Sequence, residues 1–203
     1  MARHVITYTR TMSRWEPDAR GRLERAAVEL FLSRGFADTT VPEIAERAGL
    51  TTRTFFRHFA DKREVLFGAE AELPGVVSGV LADAPPGLTP LELVEFGLTR
   101  VAASRFNGLR EFLRARRSII VTDVGLQERE LRKNAGLGDV IRNSLASRGF
   151  DSLAASIAAR IAVAIFTLSL DRWLDGDDDS FASLVAEAFA TTRSIDLPQQ
   201  PTK

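Results

Sequence analysis

The sequence predicts an all-α protein of about nine helices, with a small N-terminal helical unit followed by a larger C-terminal helical bundle. Three observations point there. Apolar residues recur at helical spacing in almost every segment, strand-like alternation is absent, and Gly, Pro and Asp punctuation cuts the 203 residues into helix-length pieces.

Residues 1–14 have no periodicity and read as a flexible basic arm, with Arg3, Arg10 and Arg14 and no acid. Trp15-Glu16-Pro17-Asp18 has the proline and acids of a first helical turn. Leu23, Ala26, Ala27, Leu30 and Phe31 carry that helix to Arg34, and Gly35 ends it. Thr40-Val41-Pro42-Glu43 is a capping box that starts a short helix reaching about Ala48, where Gly49 stops it. Thr51 caps the next short helix, which runs to about Phe59. Asp61 and Glu64 start a longer one reaching about Val80, and Ala84-Pro85-Pro86-Gly87 is a turn. The remaining helices are expected at Pro90–Phe106, Leu109–Thr122, Leu126–Arg148, Ser152–Leu174 and Ser180–Ile195, with breaks at Asn107-Gly108, Gly125, Gly149 and Asp175-Gly176-Asp177. The division is a flexible basic arm at 1–14, a small helical unit at 15–67 and a larger helical domain at 68–203.

Composition narrows the function. There is no cysteine, hence no disulfide framework, thiolate nucleophile or thiolate metal site, which suits a reducing cytoplasm. The two histidines, His4 and His58, form no Glu-x-x-His pair of a di-metal bundle. The acidic run Asp175-Gly176-Asp177-Asp178-Asp179 has its glycine misplaced for a calcium loop and no closing glutamate, so it reads as an interhelix turn with Asp179 or Ser180 as helix cap. No catalytic residue, metal or cofactor is expected. The first residues do not read as a signal peptide. Ile161–Leu170 is about half a membrane span, closed by Arg160 and Asp171, and reads as a buried helix. Net charge is zero, but residues 1–67 hold 12 Lys and Arg against 9 Asp and Glu, and the remainder holds 15 against 18. A basic start on an acidic remainder suits a nucleic-acid reader with a second function.

The stretch Gly35–Leu66 carries the function. Two short helices joined through Gly49 make a helix-turn-helix. Ile44, Ala45 and Ala48 form an inward stripe, and Ala45 must be small where the second helix crosses. In that second helix Thr51, Phe55, His58 and Phe59 fall on one side, and Arg53, Thr54, Phe56 and Arg57 on the other. Two arginines on the exposed face of a short capped helix suit insertion in the major groove of double-stranded DNA. An ordinary solvated helix pair has the same look.

The residues Gly35-Phe36, Thr40-Val41, Ile44-Ala45, Ala48-Gly49, Thr51, Thr54-Phe55-Phe56-Arg57-His58-Phe59 and Lys62 stand at the spacing of a known pattern. With the preceding helix the stretch resembles, over about fifty residues, the DNA-binding domain of the TetR family of bacterial transcriptional regulators; the rest of the chain matches in helix pattern and length alone. The resemblance implies that Thr40 and its helix start meet a phosphate, that Thr51, Thr52, Arg53 and Thr54 sit at the groove end of the recognition helix, and that His58 and Lys62 reach phosphates. Phe56 stands where the family often has a phosphate-binding tyrosine, and Arg53 where it often has glycine. The Arg53–Arg57 variant resembles a subgroup with acyl-CoA-like or other lipophilic ligands. The family implies a homodimeric repressor, released from a near-palindromic operator by a small molecule.

In the C-terminal domain Phe96, Phe106 and Phe166 are expected either to line a largely apolar pocket or to belong to the core, and Arg116-Arg117 either to hold an anionic head or to face solvent. Ala158, Ala162, Ile165 and Ser169, with Leu184 and Ala188, are the expected dimer interface, because the resemblance pairs the last two helices with their copies; a monomer core has a similar pattern. The rivals from other classes are a helical ligand-binding or lipid-carrier protein that does not read DNA and a small helical-bundle enzyme.

Overall fold

A computed structural model describes residues 18–68, 71–176 and 180–194. The expected arm at 1–14, the turn residues Trp15 to Pro17, the cap at Asp179 and the tail from Leu197 lie outside the described residues. Among the described residues there are nine α-helices and no strand. They are α1 (Ala19–Arg34), α2 (Val41–Arg47), α3 (Thr52–His58), α4 (Leu73–Ala82), α5 (Pro90–Arg105), α6 (Arg110–Ile120), α7 (Val124–Ser147), α8 (Ser152–Asp175) and α9 (Phe181–Ser194), with a 3-10 turn at Arg63–Leu66.

The helix starts follow local chemistry. Asp18 caps α1 by accepting from the Gly21 N–H at 3.0 Å. At α2 the Thr40 hydroxyl and backbone N–H donate to Glu43 at 2.7 and 2.8 Å, completing a capping box. Those two bonds hold the Glu43 carboxyl below the usual carboxylate range. Thr89 and Glu92 repeat the box at α5, and Ser180 accepts from the Ser183 N–H ahead of α9.

Two boundaries differ from expectation. The single helix expected from Asp61 to Val80 is divided into the 3-10 turn and α4. Pro74 explains the late start of α4: it lacks an N–H and disfavours helix in the residue before it, so it fits only the first turn, where it sits. Asp61 acts on the turn alone, accepting from the N–H groups of Arg63 and Glu64 at 2.8 and 3.0 Å. Gly125, expected as a break, lies in the first turn of α7, because Asp123 caps that helix through the Leu126 N–H.

The chain builds two cores. The first gathers Leu23, Ala27, Phe31, Ile44, Phe55 and Phe59 of α1 to α3 and the residue after, and extends through Phe67 to Ile119, Ile120 and Leu126 around the α6–α7 junction. The second packs α4, α5, α7, α8 and α9 around residues such as Val94, Ile141, Ala162, Val185 and Phe189. Helices α4 and α5 approach closely at Gly97, where a Cβ would come within 2.7 Å of the Leu81 side chain.

Helix α8 carries a correction. Ala158, Ala162, Ile165 and Ser169, with Leu184 on α9, are buried in this chain's own core, and Ala188 packs against it. The small side chains do permit close packing, but against helices of the same chain. The outward stripe of α8 is Leu153, Ile157, Ala164 and Leu168, with Leu168 67% exposed. Both faces are largely apolar, the outward one interrupted by the exposed Arg160, and α8 alone among the described residues is long and apolar enough to cross a bilayer.

Ile165, 4% exposed, is therefore a stability position. Ile165→Ala should cost roughly 2–5 kcal/mol of folding free energy. Denaturant unfolding should show the lower midpoint, and sedimentation of the remaining folded protein should show an unchanged oligomeric state.

Candidate nucleic-acid interface and inner cavity

The joint between α2 and α3 is built for close approach. Gly49 takes φ +66, and the Leu50 N–H donates to the Ala45 carbonyl at 2.8 Å. The Arg22 guanidinium of α1 donates to the Ala48 carbonyl and closes the end of α2. A Cβ at position 49 would come within 2.8 Å of that guanidinium, a second reason for glycine.

Thr51 caps α3 through the Thr54 N–H at 3.2 Å, and the two hydroxyls lie 3.0 Å apart. Phe55 and Phe59 are buried with ring centroids 5.4 Å apart, anchoring the helix from within. Arg53, Phe56, Arg57 and His58 are exposed, and Thr52 and Thr54 half-buried. His58 thus joins the outward set, although helical angles grouped it with Phe55 and Phe59; its place in the last residue of α3 frees it from the buried stripe. The Arg57 guanidinium donates to the His58 ring at 3.5 Å. Among the described residues Arg53 makes no hydrogen bond or ion pair, so its planar fork is available for an outside partner.

Lys62 is placed differently from its expected role. Its ammonium donates to the carbonyls of Phe36, Thr39 and Ala37 at 2.7, 2.8 and 3.3 Å and lies 4.3 Å from the Phe36 ring centroid. The group expected to meet a phosphate holds the loop between α1 and α2, and through it the Thr40 cap. The sequence reading also assigned nothing to Arg22, Arg25 and Arg47, which line an open groove of about 260 Å³ beside α1 and α2. Arg25 and Arg47 are paired there with Asp18 and Glu29.

The C-terminal candidates separate. Phe166 lines a cavity of about 50 Å³ together with Leu73, Pro74, Lys133, Asn134 and Leu137. Phe106 stacks against Phe166, Trp173 and Phe181 in a buried aromatic cluster, 4.4 Å from Phe181. Phe96 is half-buried beneath the Arg100 guanidinium. Arg116 and Arg117 do not form a paired anion site. Arg116 is 4% exposed, donates to the Leu66 carbonyl at 2.8 Å, pairs with Glu130 at 3.2 Å and lies over the Phe67 ring. Arg117 points to Asp171 and Asp175 of α8. Successive helical residues diverge by about 100°, so neighbours in sequence serve different helices. Among the described residues no group of His, Cys, Asp or Glu is placed to hold a metal ion.

Because its ammonium serves carbonyls inside the fold, Lys62→Ala should lower stability by roughly 1–2 kcal/mol. Thermal unfolding monitored by circular dichroism, without DNA, should show the loss.

Comparison with known proteins agrees with this geometry. Residues 24–69 match the model for bacterial regulatory proteins of the tetR family. The HTH-type transcriptional regulator TcmR of Streptomyces glaucescens is 31% identical over 177 residues, covering 82% of this chain and 78% of TcmR. Among solved structures, the FadR repressor of Thermus thermophilus in complex with lauroyl-CoA is 25% identical with a TM-score of 0.56, covering 91% of this chain and 98% of that one. SmeT of Stenotrophomonas maltophilia, solved with triclosan, has the same fold at 19% identity, with a TM-score of 0.61 over 92% of this chain and 100% of SmeT. A helix-turn-helix with an outward arginine face, set on a helical bundle and shared along most of the chain with TcmR, makes this protein a member of the TetR family of transcriptional regulators.

Proposed function

We propose that this regulator is a homodimeric cytoplasmic repressor that reads a near-palindromic operator through Arg53 and is released by a largely apolar small molecule. The observation that carries the reading is the exposed, uncommitted Arg53 near the start of a capped recognition helix. Arginine there can pair bidentately with guanine in the major groove. Arg57 and His58 flank it, Phe56 offers an apolar edge to bases or sugars, and Thr51, Thr52 and Thr54 crowd the groove end. Thr40 at the start of α2 meets a phosphate. Residues 15–67 act as the DNA-binding unit, seated on α6 through Ile119 and Ile120. No bond is made or broken in this cycle, so the protein acts as a switch rather than an enzyme.

The dimer needs a face that the chain leaves open. The outward stripe of α8, Leu153, Ile157, Ala164 and Leu168, has the spacing of a helix-pairing seam and replaces the inward face expected from sequence. A near-palindromic operator requires the pairing of two copies to set their α3 helices about one turn of DNA apart. For the effector, the apolar walls around Phe166 and the acyl ligand carried by the FadR of Thermus thermophilus both favour a molecule with a large apolar part.

Gel shift with the DNA upstream of the protein's own coding region tests the reading, and absence of binding would favour a ligand carrier. Arg53→Ala should weaken operator binding by roughly 1–3 kcal/mol and flatten preference at one base pair per half-site. Titration of base-substituted operators checks this, an unchanged preference profile ruling Arg53 out. Ile157→Glu combined with Leu168→Glu should give folded monomers, seen as a halved mass in sedimentation with a native circular-dichroism spectrum. A folded dimer would exclude the stripe.

A further inference from the structure

Among the described residues the cavity between α4, α7 and α8 has one cationic wall residue. Leu73 and Pro74 of α4, Leu137 of α7 and Phe166 of α8 are apolar, while Lys133 and Asn134 of α7 supply its polar edge. Lys133 is also a tie to the DNA-binding unit. Its ammonium donates to Glu64, in the 3-10 turn Arg63–Leu66, at 3.1 Å, and lies 5.7 Å from the ring centroid of Phe67. Glu64 is held from α7 a second time by Arg129 at 2.6 Å, and it is only 17% exposed. The Lys133 side chain therefore borders the cavity, while its ammonium holds the recognition unit.

We propose that Lys133 is the sensing residue of this regulator: the cavity takes an amphipathic acid whose carboxylate competes with Glu64 for the Lys133 ammonium. This rests on the reading of the chain as a ligand-released DNA binder. The physical reason is charge balance in a partly dehydrated place. Two carboxylates drawn to one ammonium repel each other, and the repulsion is stronger where water is scarce. Glu64 retains Arg129, so it has somewhere to go, whereas among the described residues the incoming acid meets no other cation on the cavity wall. Arg116 and Arg117 point elsewhere, to Leu66 and Glu130 and to α8. When the acid takes Lys133, the turn Arg63–Leu66 loses one of its two side-chain holds on α7. Phe67, the next residue, belongs to the same core as Phe55 and Phe59, so the loss is passed to the seat of α3. The cavity of about 50 Å³ is too small for a long chain as it stands, so binding must part α4 from α7.

By linkage, what weakens the Lys133–Glu64 tie must strengthen acid binding and weaken DNA binding together. The test uses wild type, Lys133→Met, Lys133→Arg and Glu64→Gln. The probes are decanoate and dodecanoate against 1-decanol and 1-dodecanol, and the readouts are thermal shift, calorimetry and fluorescence anisotropy on the upstream DNA fragment. Wild type and Lys133→Arg should bind each acid about tenfold tighter than its alcohol, the worth of one charge-assisted contact. Lys133→Met should bind acid and alcohol alike, while keeping its circular-dichroism spectrum. Glu64→Gln should bind the acids more tightly than wild type and DNA more weakly before any acid is added. The proposal is overturned if no acid binds, if the alcohols bind as well as the acids, if Lys133→Met keeps the preference, or if Glu64→Gln leaves both affinities at the wild-type level. If wild type binds acid with this preference but no DNA, the regulator reading fails while Lys133 stands as the acid's partner.

Discussion

A guanidinium that is 4% exposed persists in a fold only where its charge and its N–H groups are met, because an unpaired buried charge costs several kcal/mol. At the place where the two cores join, the Arg116 charge is met by Glu130 and its Nε–H by the Leu66 carbonyl. The Leu66 carbonyl, the Glu130 carboxylate and the face of Phe67 surround it, so one α6 side chain binds the end of the 3-10 turn, the start of α7 and the first core at once. Removing one partner would leave the others facing a buried charge, so α6, α7 and the turn are constrained to keep their relative positions. The seat of the recognition unit on Ile119, Ile120 and Leu126 follows from that constraint.

Around this fixed point the junction has a softer rim. Glu72 with Arg20 and Arg105 forms exposed pairs worth little, and the more sheltered Glu64 is shared between Arg129 and Lys133, so both carboxylates can exchange partners. A regulator needs both. A rigid joint alone passes no signal, and a purely soft one holds no half-site spacing. The short turn that Pro74 separates from α4 supplies the compliance: a continuous helix from Asp61 to Val80 would couple the two units along one rod, whereas the break leaves side-chain ties to carry the coupling.

The recognition unit was legible in the sequence because its determinants are local. Thr40 with Glu43, Thr51 with Thr54, Gly49 between them and the Phe55–Phe59 pair all act within a few residues, and the structure places each as the spacing predicts. Lys62 was not legible, since its partners, the carbonyls of Phe36, Ala37 and Thr39, lie more than twenty residues away. Lys133 carried no signal at all. Its partners are Glu64 and a cavity wall assembled from three helices.

By itself the sequence determined the helical class, the helix-turn-helix and the outward arginines, because capping, periodicity and turn chemistry act over one or two helical turns. It left the faces of α8 undecided, since Ile165 and Leu168 are equally apolar and three residues apart. Only packing assigned Ile165 to the core and left Leu168 outside. The same holds for Arg116 and Arg117, adjacent and chemically identical, one buried at the domain joint and the other paired with α8. Long-range burial and charge pairing depend on which helices meet, and that is settled by the tertiary structure.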